Sequence, residues 1–467
     1  MPRVVRCAGA LFFLFLSYYL VKPLRNSQFL KEFAPHFLPW IYLVVSGGSL
    51  LVTQIFQWCA ARMGRRSLVA GTFAWAMLCK VFFFVTLPDG GQRTTGLFYL
   101  WASVYFLLLV STLWGCLNER FQSQQGERCF PFIVLGATLG NIVGSYCADA
   151  MSEWGYATLL WSALALLLSL GLLWREFDYP VQMSAQAPPY RKVGWFHDRY
   201  LRAIAVMVLA LAVFSTATDF VTQRRLDVQV GEQVYRAQVA ALWPDGYAEF
   251  SALRILDSRL RQARVAQLAH GHGLDPAALQ LAYDGFRDER EKRLREIFAT
   301  TFLAQGLTGV VLLGLICRPF LARFGLGTAL TVLPTFALLL LPILLLPLEV
   351  GWIQVVLVCS GALNYSFNNA AKEVLYTATD RSAIISAKPF IEGPLMRIGD
   401  VICSLLTLSI AWLVARQGWP SWWEELLMIL PCFAVVLLWW LLVRQAGHDY
   451  RRYSTALAGS AQSPLGT

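Results

Sequence analysis

Residues 361–400, GALNYSFNNAAKEVLYTATDRSAIISAKPFIEGPLMRIGD, set Lys, Glu, Arg and Asp inside or beside two apolar runs. A charge at bilayer depth costs roughly 2.5–3.5 kcal/mol by insertion scales, and is kept where it faces a bundle interior or a water-filled path. Lys388 and Glu392 are four residues apart and share a helical face; Arg397 and Asp400 are three apart and share roughly the opposite face. At 1.5 Å per residue, Arg397 and Asp400 lie about 13–18 Å in from Lys388, which is mid-membrane. Two readings are open for this second pair. It locks helix packing, or it opens to admit an anion or relay a conformational change. Asn364, Asn368 and Lys372 recur every fourth residue as one polar stripe, suited to a substrate or to hydrogen bonds between helices.

The first apolar run ends SYYLVKPLRNSQFLKEF, where Tyr18, Lys22, Arg25 and Phe29 fall on one helical face and Pro23 can kink the helix. Lys22 and Arg25 could hold a phosphate or carboxylate, or snorkel to the interface and anchor the helix. Lys80 stands alone in the third run, as a snorkelling residue or another cavity cation. Glu119 and Asp219 lie near span ends, where solvation is the default.

The elements that must position these residues are membrane helices. The chain has 467 residues, 57% of them hydrophobic and 15% charged. A soluble chain would carry about 25% charge. Apolar runs long enough to cross roughly 30 Å of hydrocarbon recur throughout, and their continuity excludes the in/out alternation of a barrel. The expected fold is all-α with twelve transmembrane helices. Spans are placed near 5–22, 38–60, 67–87, 97–117, 129–150 and 156–174, then 200–221, 297–317, 327–347, 351–371, 388–416 and 421–444. This gives a bundle at 1–174, a polar linker at 175–199, and a second bundle at 200–467 with an insert at 224–295. Arg3, Arg6, Arg62, Arg65, Arg66, Arg120, Arg128, Arg175, Arg323 and Arg444 fall on one side, so both termini and the linker are expected in the cytosol and the insert outside. The N-terminal run is followed by Lys22, Pro23 and Arg25 rather than a small-residue cleavage site, and reads as a retained span.

The insert reads as a small, mostly helical cap. DVQVGEQVYRAQV suggests a short hairpin; Leu253, Leu256, Leu260 and Leu268, then Leu279, Tyr283 and Phe286, recur at helical spacing; Asp275-Pro276 marks a helix start. His270, His272 and Asp275 could form a metal site, but a solvated turn is the preferred reading, and no metal is expected. Gly136, Gly140 and Gly144 form a small-xxx-small seam for close helix packing.

The ten cysteines include no C-x-x-C and none lies in the insert, so they read as small buried hydrophobes. No P-loop signature occurs, which excludes a P-loop ATPase. No catalytic triad stands out. The chain is read as a non-enzyme without cofactor. Its net charge of +10 is spread over short loops, as the positive-inside rule and anionic lipid require, and not massed for nucleic acid.

The two halves echo each other: CAARMGRRSL after the second span and CRPFLARFGLGTAL after its counterpart both place Ala-Arg, Met or an aromatic, then Gly at a cytosolic turn. With six spans on each side of a linker, this resembles the major facilitator superfamily, whose two helical bundles flank a substrate path. YYLVKPLRNSQFL, LWGCLNERFQSQQGERCFPFIVLGATLGNIVGS and NNAAKEVLYTATDRSAIISAKPFIEGPLMRIGD together resemble the nucleotide transporter family of ATP/ADP translocase type. That resemblance implies nucleotide exchange or proton-linked transport. It nominates Lys22, Arg25, Glu119, Lys372, Glu373, Lys388 and Arg397 for substrate contact or gating. This sequence departs from the family pattern at Asn26 and Glu392, where acidic and Asp residues are usual, and in the insert.

The expectation is therefore a monomeric secondary transporter of the bacterial inner membrane. It takes a small organic anion, a nucleotide first, by alternating access, with Lys22, Arg25 and Arg397 serving one cavity. Two rivals stand beside it. One is a transporter of the same fold for another metabolite, drug or metal chelate; the other is a non-transporting sensor whose insert binds a ligand.

Overall fold

Among the described residues, twelve helices are long and apolar enough to cross a membrane, and they coincide in order with the twelve runs read from the sequence. The computed structural model describes residues 2–60, 62–118, 123–175, 199–256, 258–369, 371–372, 390–420 and 422–461. The main helices are α1 (Pro2–Glu32), α2 (Leu38–Ala60), α3 (Arg65–Thr86), α4 (Gly91–Asn118), α5 (Ser123–Ala150), α6 (Thr158–Trp174), α7 (Arg199–Gln238), α8 (Tyr247–Ala252), α9 (Ser258–Gly271), α10 (Pro276–Val311), α11 (Arg318–Ile343), α12 (Val350–Leu363), α13 (Pro394–Gln417) and α14 (Trp422–Ala461). Two π-helical segments, Leu312–Cys317 and Asn364–Asn368, extend α10 and α12. Every regular element among the described residues is helical, as lipid demands: a helix satisfies its backbone donors and acceptors internally.

The chain divides into two compact units: Met1–Ser184 with Gln223–Gly306, and Ala185–Thr222 with Leu307–Thr467. In the first unit α1 packs against α4, α5 and α6. Its residues Cys7, Ala10, Leu11, Leu14, Val21 and Leu24 are buried, recurring at helical intervals in the bundle core. The glycine seam of α5 makes the closest of these contacts. A Cβ at Gly136, Gly140 or Gly144 would collide with the backbone of Ala8, Phe12 or Leu16 of α1 in turn. α2 turns Trp40, Val44, Leu51, Ile55 and Trp58 outward, an apolar face suited to lipid. In the second unit the buried face of α7 includes Leu201, Ile204, Ala205, Val208 and Ala212. Gly399 of α13 sits where a Cβ would lie 2.6 Å from the Ala212 Cβ.

The sequence assigned the insert to the second half by chain order. In space residues 223–306 belong to the first unit. The hairpin expected at 227–239 is instead the last turns of α7. Its V-x-V spacing suggested a strand, yet Leu226, Val230 and Val234 bury one face at every fourth residue. α10 begins where Asp275-Pro276 predicted, with the Asp275 carboxylate accepting from the Ala277 and Ala278 amides at 3.2 Å. Leu279, Tyr283 and Phe286 are buried as their spacing required. The His272 ring lies 4.5 Å from that of Trp243. Tyr247 donates to the Val228 carbonyl at 3.0 Å, and burial pushes its phenol up to about 12.

Candidate functional site

In the first unit the chemistry centres on α1, which continues through Pro23 to Glu32, ten residues beyond the end read from hydropathy. Lys22 and Arg25 are both half-buried. The Lys22 ammonium lies 3.8 Å from the centre of the Phe302 ring of α10 and 5.2 Å from that of Tyr19. Such contacts favour a cation without cancelling its charge. Arg25 is held by its neighbours: Nε and Nη2 donate to Asn26 Oδ1 at 3.0 and 2.9 Å, and Nη1 donates to Ser103 Oγ at 3.1 Å. Its guanidinium also covers the Tyr99 ring at 4.7 Å. Asn26 therefore orients the guanidinium through its side-chain carbonyl. Tyr18 stacks on Phe106 at 3.7 Å.

Deeper in this bundle, Lys80 is fully buried. It does not snorkel. Its ammonium reaches Tyr105 Oη at 3.3 Å and Ser162 Oγ, and lies 4.5 Å from the Tyr105 ring centre. Ser162 in turn donates to the Ser17 carbonyl of α1 at 2.7 Å. The sequence marked Lys80 as unusual, but its partners on α4 and α6 have no local signature.

In the second unit Arg397 Nη1 donates to Asp400 Oδ2 at 3.0 Å, the i,i+3 pairing expected on one helix face. Thr216 of α7 donates to the other oxygen, Oδ1, at 2.7 Å. The Arg397 side chain keeps 27% of its surface accessible. A second pair joins Lys372 to Glu392 at 2.9 Å. The sequence placed Lys372 in the asparagine stripe and set Glu392 with Lys388; the pairing of Lys372 with Glu392 is a tertiary contact that periodicity does not reveal. Asn368 Nδ2 donates to Asn364 Oδ1 at 3.0 Å within the π-helical segment, and Asn368 is buried. Glu119, Glu373 and Lys388 lie outside the described residues or side chains. Thr216 is a further contact that sequence reasoning missed; a single threonine in an apolar helix gives no periodic signal.

No family model matches the sequence, and comparison with curated proteins finds no relative. Solved structures do match over nearly the whole chain. The nucleoside transporter NupG is 11% identical with a TM-score of 0.57, covering 95% of this chain and 99% of that one. The POT family transporter PepTSo is 12% identical with a TM-score of 0.55, covering 96% and 98%. A D-xylose-proton symporter is 11% identical with a TM-score of 0.53, covering 93% and 96%. At such identities the likeness is one of fold. The chain is thus a multi-pass membrane protein with the twelve-helix, major-facilitator-like fold, carrying a helical cap between its seventh and eighth spans.

Proposed function

We propose that this protein is a secondary transporter that moves an organic anion by alternating access, with a nucleotide such as ATP or ADP as the first substrate to test. The observation that carries the reading is the Arg397–Asp400–Thr216 arrangement. Asp400 has two donors, one on each oxygen. When Arg397 turns to another anion, Thr216 still serves the carboxylate, which lowers the penalty of an unpaired charge. A guanidinium can exchange a carboxylate for a phosphate because its donor fork fits both. Lys22, over the Phe302 ring, and Arg25, on Asn26 and Ser103, are the further cationic candidates for substrate contact. Lys372 and Glu392 act as a gating pair, and Asn364 and Asn368 offer uncharged contacts to the substrate.

Three considerations support the transport reading: the fold, the costly cations kept within apolar spans of both halves, and the motif resemblance to nucleotide transporters. The nucleoside transporter among the fold neighbours bears on the base and sugar portions of such a substrate. The protein is proposed to work as a monomer in a bacterial inner membrane, with both termini cytosolic and the cap outside. The test is uptake of radiolabelled ATP and ADP by liposomes containing the purified protein, with and without internal nucleotide. Uptake stimulated by internal nucleotide is expected. No uptake of either, beside uptake of an uncharged nucleoside, would remove the anion reading.

A further inference from the structure

The cap is bonded to the end of α1 by a network that the transport reading does not use. Pro23 lacks an amide hydrogen, so the helix loses a rung at that point and is prone to kink. The segment that follows, 24–32, contains Arg25. Its polar side chains and terminal carbonyls are held from outside the helix. Ser27 donates to Glu291 Oε1 at 2.7 Å. Gln28 accepts from Tyr156 at 3.0 Å. Lys31 pairs with Asp288 at 2.8 Å. Arg290 donates to the Leu30 carbonyl at 3.3 Å and also binds Asp227. Gln92 donates to the Glu32 carbonyl at 3.3 Å. The Glu32 carboxylate is buried, bonded to Arg287 and 3.6 Å from Arg261. Asp227, also buried, takes Arg254 at 2.8 Å.

A helix end presents carbonyls without intrahelical partners and favours nearby cations. Here those cations come from the cap. α10 supplies most of them and, eleven residues beyond Glu291, also places the Phe302 ring over Lys22. Glu291 is itself braced by Arg295, which donates to the Ser152 carbonyl at 3.1 Å.

We infer that the cap is a clamp on the post-proline end of α1, and that Glu32 and Asp227 are positioning residues for Arg25 and Lys22. The inference rests on the substrate-binding role proposed for those two cations. The clamp sets the tilt and register of residues 24–32, so the guanidinium of Arg25 stays on Ser103 and Tyr99. Without the clamp the helix bends at Pro23 and Arg25 loses that placement.

The test uses the full-length protein and the variants Glu32→Gln, Arg287→Gln, the double variant, and Asp288→Asn as a milder change at an exposed carboxylate. Hydrogen-exchange mass spectrometry reads the clamp without any substrate. Exchange of peptides covering 24–33 is expected to rise at least tenfold in Glu32→Gln and Arg287→Gln, and less in Asp288→Asn, while peptides covering 3–20 hold their protection. Uptake of labelled ATP then reads positioning: the half-saturation concentration is expected to rise about tenfold with the maximal rate within twofold. The double variant should be no worse than Glu32→Gln, because Arg287 acts on this helix end through Glu32, which Arg261 also reaches. Unchanged exchange at 24–33 would overturn the clamp. Raised exchange with an unchanged half-saturation concentration would overturn the positioning role. Absence of ATP uptake in the wild type would count against the transport reading alone, with the exchange result still deciding the clamp.

Discussion

Replacing Gly140 with alanine tests how tightly α1 is held in its bundle. The added Cβ would strike the Phe12 carbonyl oxygen, with the carbonyl carbon at 2.9 Å and the Cα at 3.0 Å. All three are backbone atoms, so no side-chain rotation relieves the contact, and the two helices must separate. Overpacking of this kind costs about 1–3 kcal/mol. Alanine returns about 1 kcal/mol through helix propensity, leaving a net loss of up to roughly 2 kcal/mol. Gly71 of α3 is the control: a Cβ there meets nothing within 4 Å, so Gly71→Ala should be neutral or slightly stabilising. The assay is the fraction of detergent-solubilised protein that stays monodisperse after heating, measured by size-exclusion fluorescence. Gly140→Ala should lose its folded fraction at a lower temperature than wild type, and Gly71→Ala should not. Equal stability of the two variants would refute the seam. The same separation would move Lys22 and Arg25, so uptake should fall before the fold is lost.

Thr216→Val should leave Asp400 dependent on Arg397 alone; competition between carboxylate and substrate then strengthens, and the half-saturation concentration for nucleotide should rise several-fold with expression unchanged. An unaltered value would show that Thr216 is no alternative partner. Single cysteines introduced for whole-cell labelling should react from outside when placed at Ser258 and stay protected when placed at Arg62; the reverse pattern would invert the proposed topology.

The spans were legible because each needs a long apolar run, and such runs cannot hide in a sequence. The Arg397–Asp400 pair was legible because both residues lie on one helix, where spacing alone predicts contact. The glycine seam was equally local in its signal, and its partners Ala8, Phe12 and Leu16 repeat at the same interval. What escaped was tertiary. Lys372 meets Glu392 across a stretch of chain, Thr216 meets Asp400 from another helix, and Glu32 meets Arg287 over 255 residues of sequence. Charges near a span end look solvated in a linear reading, which hid the clamp. The helical face reads through Pro23 to Phe29, but the span reads as ending at residue 22, because a proline beside Lys22 and Arg25 usually marks a span end; here the cap supplies the partners that let α1 run on to Glu32.

Cations within the spans are proposed to bind an anionic substrate. The most direct measurement is nucleotide uptake by liposomes containing wild type, Arg397→Ala or Arg397→Lys at matched, verified insertion. Arg397→Ala should abolish uptake, because it removes the guanidinium that trades Asp400 for substrate. Arg397→Lys should retain a fraction, since the charge remains while the bidentate grip is lost. Full uptake by Arg397→Ala would remove the anion-binding role of this cation and leave only the fold.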